Sequence, residues 1–164
     1  MTRVGVSGHR SFDDEATVRD MTDAVLQRVF GGGGVSTVVS NLASGADQLV
    51  AELVLDRPGG RLEVVLPLPV DDYTDDFANA NARRRFDELL VRASSVIVIE
   101  QVPSESRESA YARAGFAIVD TCDVLVALWD GMPARGEGGT AEVVQYALDH
   151  DVMVEVVLVQ RGPG

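Results

Sequence analysis

The chain has 164 residues, with 26 acidic side chains against 14 basic ones and a formal net charge of −12. Every basic residue is arginine, which excludes a Walker-type phosphate loop and any pyridoxal-phosphate or Schiff-base chemistry, since each needs a lysine amine. The lone Cys122 excludes an intrachain disulfide and a cysteine zinc site, and His9 and His150 are too few for a histidine metal centre. Carboxylate-bound magnesium stays open by composition, but no metal site and no resident cofactor is expected.

The opening MTRVGVSGHR is strand-like rather than a charged head with an apolar signal core, so the chain reads as cytoplasmic. Arg3–Ser7 is a short buried strand. Residues 13–29 place Met21, Ala24, Val25 and Val29 at helical spacing, and Gly31–Gly34 stop that helix. Four glycines in a row suggest a phosphate cradle only when they follow a strand; here they follow a helix and read as a turn. Ser36–Ser40 is the second strand. Ala46, Leu49, Val50, Leu53 and Val54 form a helical stripe that ends at Arg57-Pro58-Gly59-Gly60, and Leu62–Leu66 is the third strand, closed by Pro67. A long acidic helix is expected from about Asp75 to Ala93, with Phe86, Leu89, Leu90 and Ala93 on one face. Val96–Ile99 is the fourth strand. After a polar loop over Pro103–Glu108, a helix turns Ala110, Ala114, Ala117, Ile118 and Thr121 inward. Val124–Trp129 (VLVALW) is continuously apolar, as in a central parallel strand covered on both faces. A helix over Thr140–Asp149 and a strand over Val152–Val159 complete the pattern.

Six strands alternating with five helices predict a single-domain α/β protein. Its expected form is a Rossmann-like three-layer sandwich around a mostly parallel six-stranded sheet, over residues 1–160 with a tail at 161–164. A chain of this length buries about 68–70% of its unfolded surface, enough for a proper core. No run of apolar residues approaches the length of a membrane span. The strong negative charge disfavours a nucleic-acid partner, because such binding rests on phosphate neutralisation.

In this architecture ligands bind at the carboxyl ends of the strands, where helix N-termini gather. Three strand-to-helix turns there are small and polar: Ser7-Gly8-His9-Arg10-Ser11, Ser44-Gly45-Ala46-Asp47, and Asp130-Gly131 through Arg135-Gly136-Glu137-Gly138-Gly139-Thr140. Glycine admits close approach to the backbone, and exposed N–H groups with the helix dipole favour an anion. Ser44 and Thr140 fit N-capping equally well. None of the three turns matches the GxGxxG dinucleotide fingerprint, so a nicotinamide dehydrogenase is not indicated.

SGHRSF, SGAD at the head of the second helix, and CDVLVALWDG followed by GGTAE resemble the SLOG superfamily. That group includes the cytokinin-activating "lonely guy" phosphoribohydrolases, often mislabelled lysine decarboxylases, DNA-processing protein A, and nucleotide-sensing domains of bacterial defence. The resemblance runs from Arg3 to about Ala147. It implies a nucleotide or ADP-ribose-like ligand at the strand ends. Gly138, Gly139 and Thr140 would hold a phosphate, met by Ser7, Gly8 and Arg10 from the first turn. Ser44, Gly45 and Asp47 would approach from the second, with Asp47 accepting from ribose hydroxyls, and Asp130 and Gly131 would bind it from the third. It also implies a homo-oligomer, a dimer in many members.

Whether such a site cleaves its ligand turns on one motif. The phosphoribohydrolase pattern PGGxGTxxE carries its catalytic carboxylate three residues after the threonine, with an arginine from the preceding helix. Here RGEGGTAEV puts the carboxylate at Glu142, two residues after Thr140, and Val143 holds the catalytic position. One helical step is a rotation of about 100°. Arg113 is the best match to the arginine, and it reads equally well as a solvated residue near Asp120. The expected function is therefore binding or sensing of a nucleotide-derived small molecule. The alternatives are N-glycosidic cleavage of a nucleoside monophosphate by Glu142 and Arg113, and single-stranded DNA binding. Asp71-Asp72 and Asp75-Asp76 read as an acidic helix start, Arg83-Arg84-Arg85 as a solvated helix face, and Cys122 as an inert core thiol. His9 reads as a general acid or a turn residue, and Trp129 as core packing or a base-stacking surface.

Overall fold

A computed structural model describes residues 2–133 and 139–162. In chain order the elements are β1 (Thr2–Gly8), α1 (Glu15–Phe30), β2 (Ser36–Ser40), α2 (Ala46–Leu55), β3 (Gly60–Leu66), α3 (Val70–Thr74), α4 (Ala80–Arg92), β4 (Ser95–Val98), α5 (Arg107–Thr121), β5 (Val124–Trp129), α6 (Thr140–Asp149) and β6 (Met153–Leu158). The strands form one sheet in the order β4-β3-β2-β1-β5-β6. Every pairing is parallel, so the sheet is parallel throughout rather than mostly. No described helix is long and apolar enough to cross a membrane.

Strand alternation assigns the helices to two layers. Val126 and Leu128 of β5 join the larger core with Val4 and Val6 of β1 and with Leu26, Leu49, Val50, Val54 and Phe86 from α1, α2 and α4. Leu125 and Ala127 face the other way, onto Val119 of α5 and Val143, Val144 and Ala147 of α6. Both faces of β5 are thus covered, which is why its sequence shows no polar alternation. Each fully buried Leu, Val or Phe contributes about 1.5–3 kcal/mol relative to exposure.

The expected helix over Asp75–Ala93 is two helices. α3 begins earlier, at Val70, and α4 starts only at Ala80, where the Asn79 side chain accepts the Ala82 N–H at 2.8 Å. An asparagine cap satisfies an otherwise orphaned first-turn donor, so the helix starts there rather than running through. The acidic residues before it have a partner instead: Arg107 donates to Asp72 Oδ1 at 2.8 Å and to Asp76 Oδ2 at 2.7 Å. Arg85 also departs from a solvated face. It is forked onto Glu52 at 2.6 and 3.1 Å and reaches Glu15 at 3.3 Å, tying α4 to α2 and α1. The expected tail at 161 is partly paired: Arg161 bridges to Phe12 in antiparallel fashion, and the Gly162 N–H donates to Ser11 O at 3.0 Å.

Candidate functional site

From β1 the chain steps outward to β4, and α5 then returns it to β5 on the other side of β1. The loops leaving β1 and β5 therefore diverge, and a crevice opens at the carboxyl ends of the strands. A cleft of about 550 Å³ occupies this point. Its walls are Ser7–Ser11 after β1, Asn41, Ala43 and Asp47 around the β2 turn, and Pro67 and Tyr73 after β3. Tyr111 and Gly115 of α5, Gly139, Thr140 and Val143 at the head of α6, and Arg161-Gly162 close it.

The two glycine turns near the cleft are pressed against each other. Gly45 sits at φ +80°, and a Cβ there would lie 2.4 Å from the His9 carbonyl oxygen. Glycine is required on both counts. Next to it, the Ala46 N–H donates to His9 O at 3.0 Å, so the first turn of α2 is capped by the β1 turn rather than by a side chain. A Cβ on Gly8 would meet Ala46 Cβ at 2.4 Å and Leu128 O at 2.6 Å. These glycines let α2, β1 and β5 approach, a role that needs no ligand. His9 is buried at 5% exposure. Its Nε2 accepts the Asp130 N–H at 3.0 Å, which pins the turn after β5 to the turn after β1 across the crevice. Asp130 Oδ1 in turn accepts the Met132 N–H at 3.0 Å, and that bond holds its carboxyl below the usual range.

Asp47 is the buried charge of the site, 6% exposed. Its Oδ2 accepts the Ala43 N–H at 3.2 Å, and burial nonetheless pushes the carboxyl up to about 7. The Arg10 guanidinium opposes that rise and lies over the Tyr111 ring, 5.7 Å from its centroid. Tyr73 packs edge-on to Tyr111 at 5.8 Å, and burial raises its hydroxyl above the ordinary range. The Tyr111 hydroxyl is buried with no hydrogen-bond partner among the described residues. Neither Arg10 nor Arg161 is in an ion pair among the described residues. In a chain of net charge −12, two such cations on one cleft make it a local reversal of sign. α6 begins behind them with Gly139, which has no side chain, as its N-cap. An anion is the ligand such a wall suits.

Of the residues singled out in the sequence, Ser7, Gly8, Arg10, Asp47, Gly139 and Thr140 line this cleft together. Ser44, Gly45, Asp130 and Gly131 stand beside it as turn residues and do not line it. Neither Ser44 nor Thr140 is an N-cap; glycines hold those positions. Gly138, with Arg135, Gly136 and Glu137, lies outside the described residues. Glu142 is on α6 but does not line the cleft, whereas Val143 does. Val143 packs so tightly on α5 that a Cβ at Gly115 would be 2.8 Å from its Cγ2. Arg113 is also turned away: it forks onto Glu105 at 2.7 and 2.7 Å and donates to Glu100 O at 2.9 Å. The two side chains a hydrolase would need do not meet at the cleft. Trp129 donates its indole N–H to Met132 O, and burial raises the Cys122 thiol to about 11, which suits an inert side chain.

Sequence reading missed Tyr73, Tyr111, Asn41 and Arg161. Asn41 follows β2 directly and donates to Val65 O at 2.6 Å, a position at a strand end that could have flagged it. Arg161 sits in a segment with no periodicity, and only its pairing with Phe12 brings it to the site.

No protein-family model and no curated protein matches the chain. Among solved structures it is similar to DNA processing protein A from Helicobacter pylori, a protein described by its mode of binding single-stranded DNA. The TM-score is 0.66 at 12% identity, covering 97% of this chain and 66% of that one. The chain thus spans just under two thirds of that protein's length, and at this identity the likeness establishes the Rossmann-like fold alone.

Proposed function

We propose that the protein binds a nucleotide-derived small molecule, a nucleoside phosphate or ADP-ribose-like compound, as a binding or sensing domain of the SLOG kind. The observation that carries this reading is the convergence of Arg10, Arg161 and the glycine-led N-terminus of α6 on one cleft in an otherwise acidic protein. The cleft volume of about 550 Å³ falls in the range of small-ligand sites, roughly 300–1,000 Å³. In this reading the phosphate sits at the Gly139–Thr140 turn with the Thr140 hydroxyl, Arg10 and Arg161 supply the positive charge, and Asp47 accepts from ligand hydroxyls. Phosphate held by backbone N–H groups and arginine is how a lysine-free chain can do this. N-glycosidic cleavage is the weaker reading, because Glu142 and Arg113 stand outside the cleft.

Single-stranded DNA binding is the second reading, favoured by the structural likeness above and opposed by the net charge. Calorimetry with AMP, ADP and ADP-ribose against a labelled thymidine oligonucleotide separates them. The proposal expects saturable binding of at least one nucleotide with weak or no retention of the oligonucleotide. Salt-sensitive binding of the oligonucleotide alone would overturn it in favour of the second reading. Release of free base from AMP would move the assignment to the hydrolase.

A further inference from the structure

Asp47 puts a buried carboxyl on the cleft with its hydrogen bonding half complete. Oδ2 accepts the Ala43 N–H at 3.2 Å, and Oδ1 has no hydrogen-bond partner among the described residues. Oδ1 is still not sealed into the core. Among the described residues, the buried side-chain atoms without a partner belong to Gln48, Arg57 and Tyr111, so Oδ1 keeps an opening, and its side chain lines the cleft. No ion pair among the described residues includes Asp47. The β1 turn brings Arg10 and His9 to the same cleft, α3 brings Tyr73, α5 brings Tyr111, and Arg161 closes it. The end of β2 and the head of α6 offer only neutral side chains, Asn41, Thr140 and Val143. Arg10 lies over the Tyr111 ring and is not forked onto the carboxyl. A buried carboxylate with a single N–H donor is short of hydrogen bonds, and a proton on Oδ1 removes the uncompensated charge.

We infer that ligand capture at this cleft is coupled to release of a proton from Asp47, with a hydroxyl of the ligand donating to Oδ1 in the proton's place. The inference rests on the nucleotide reading of the cleft, and adds to it a pH dependence and a selection for hydroxyl-bearing sugars. The layering of the fold gives the ligand its direction. α2 and α6 pack on opposite faces of the sheet, so a phosphate at the head of α6 leaves the sugar, not a second negative charge, to meet Asp47. A hydroxyl donating to a carboxylate makes a charge-assisted bond, roughly twice as strong as one between neutral groups. The bound ligand therefore favours the ionised carboxyl, the proton passes to the buffer, and no covalent bond of the ligand changes. Binding linked to loss of a proton tightens as the pH rises. The free carboxyl, pushed up by burial to about 7, places that dependence in the neutral range. A sugar without its hydroxyls leaves Oδ1 unmatched and gains nothing from ionisation.

Calorimetric titration in two buffers of different ionisation enthalpy counts the protons released on binding. AMP, ADP and ADP-ribose are titrated into the wild type and into Asp47→Asn at pH 6, 7 and 8, with circular dichroism to check that the variant keeps its fold. The difference between the two proteins removes protons that come from the ligand phosphate or from His9. The wild type is expected to release about half a proton more than the variant at pH 7, and its affinity relative to the variant should rise about tenfold from pH 6 to pH 8. The 2′,3′-dideoxy form of whichever ligand binds gives a second count in the wild type alone, and should lose both the extra proton and the extra pH dependence. Binding with equal proton counts and equal pH dependence in the two proteins overturns the inference and leaves the nucleotide reading intact. Extra proton uptake by the wild type also overturns it, since that would place Asp47 beside the phosphate as a donor. Failure of all three ligands to bind overturns both readings together.

Discussion

The buried carboxyl of Asp47 gives the sharpest test of how the cleft is built. In the unfolded chain it ionises near its ordinary 3.8, and in the folded protein burial pushes it up to about 7. Below about pH 4 both states hold the proton. As the pH rises from there, the unfolded chain releases it first, so the folded state loses stability until the pH passes about 7 and the loss is complete. Asp47→Asn keeps an oxygen to accept the Ala43 N–H and removes the titration. The variant should therefore gain on the wild type as pH rises. Between pH 5 and pH 8 the difference in unfolding free energy should swing by about 3 kcal/mol in the variant's favour. Urea unfolding of both proteins at the two pH values measures this directly. A difference that is the same at both would refute the burial argument, and a swing toward the wild type would mean that Asp47 is stabilised as a carboxylate.

Three further outcomes follow from the site. Gly45→Ala places a methyl against the His9 and Arg10 backbone at a positive φ and should cost at least about 1 kcal/mol, read as a fall in thermal midpoint. Tyr111→Phe removes a buried hydroxyl without a partner; thermal melts should show a protein as stable as the wild type or more so, by up to about 1 kcal/mol. Arg10→Ala and Arg161→Ala should each weaken nucleotide binding about tenfold, and the double variant should lose most of its salt dependence in calorimetric titrations.

The sheet was legible because its strands announce themselves. VLVALW could only be a strand covered on both faces, and β2 and β5 are buried almost throughout. The small polar turn SGHR and the Gly139-Thr140 pair lie on the cleft at the carboxyl ends of the strands. What the sequence could not convey was which partner each polar group would meet. Asp72 and Asp76 looked like a helix start because their partner, Arg107, is more than thirty residues away. Arg113 resembled a catalytic arginine, but Glu105, eight residues before it, takes its Nε and Nη2. Helical phase placed Val143 on the apolar stripe, but the tight contact between α5 and α6 at Gly115 is what seats it against the cleft in place of Glu142. Tyr73, Tyr111 and Arg161 reach the cleft through tertiary packing that leaves no local pattern.

The central claim is that the crevice between β1 and β5 holds a phosphate-bearing small molecule. Backbone amide chemical shifts followed during titration with AMP, ADP and ADP-ribose test it most directly. The account predicts that at least one of them moves the amides of Gly8–Ser11, Gly139, Thr140 and Arg161 together along one saturable curve, with β4 and β6 still. Shifts confined to other surfaces, or none with any of the three at millimolar concentration, would contradict it.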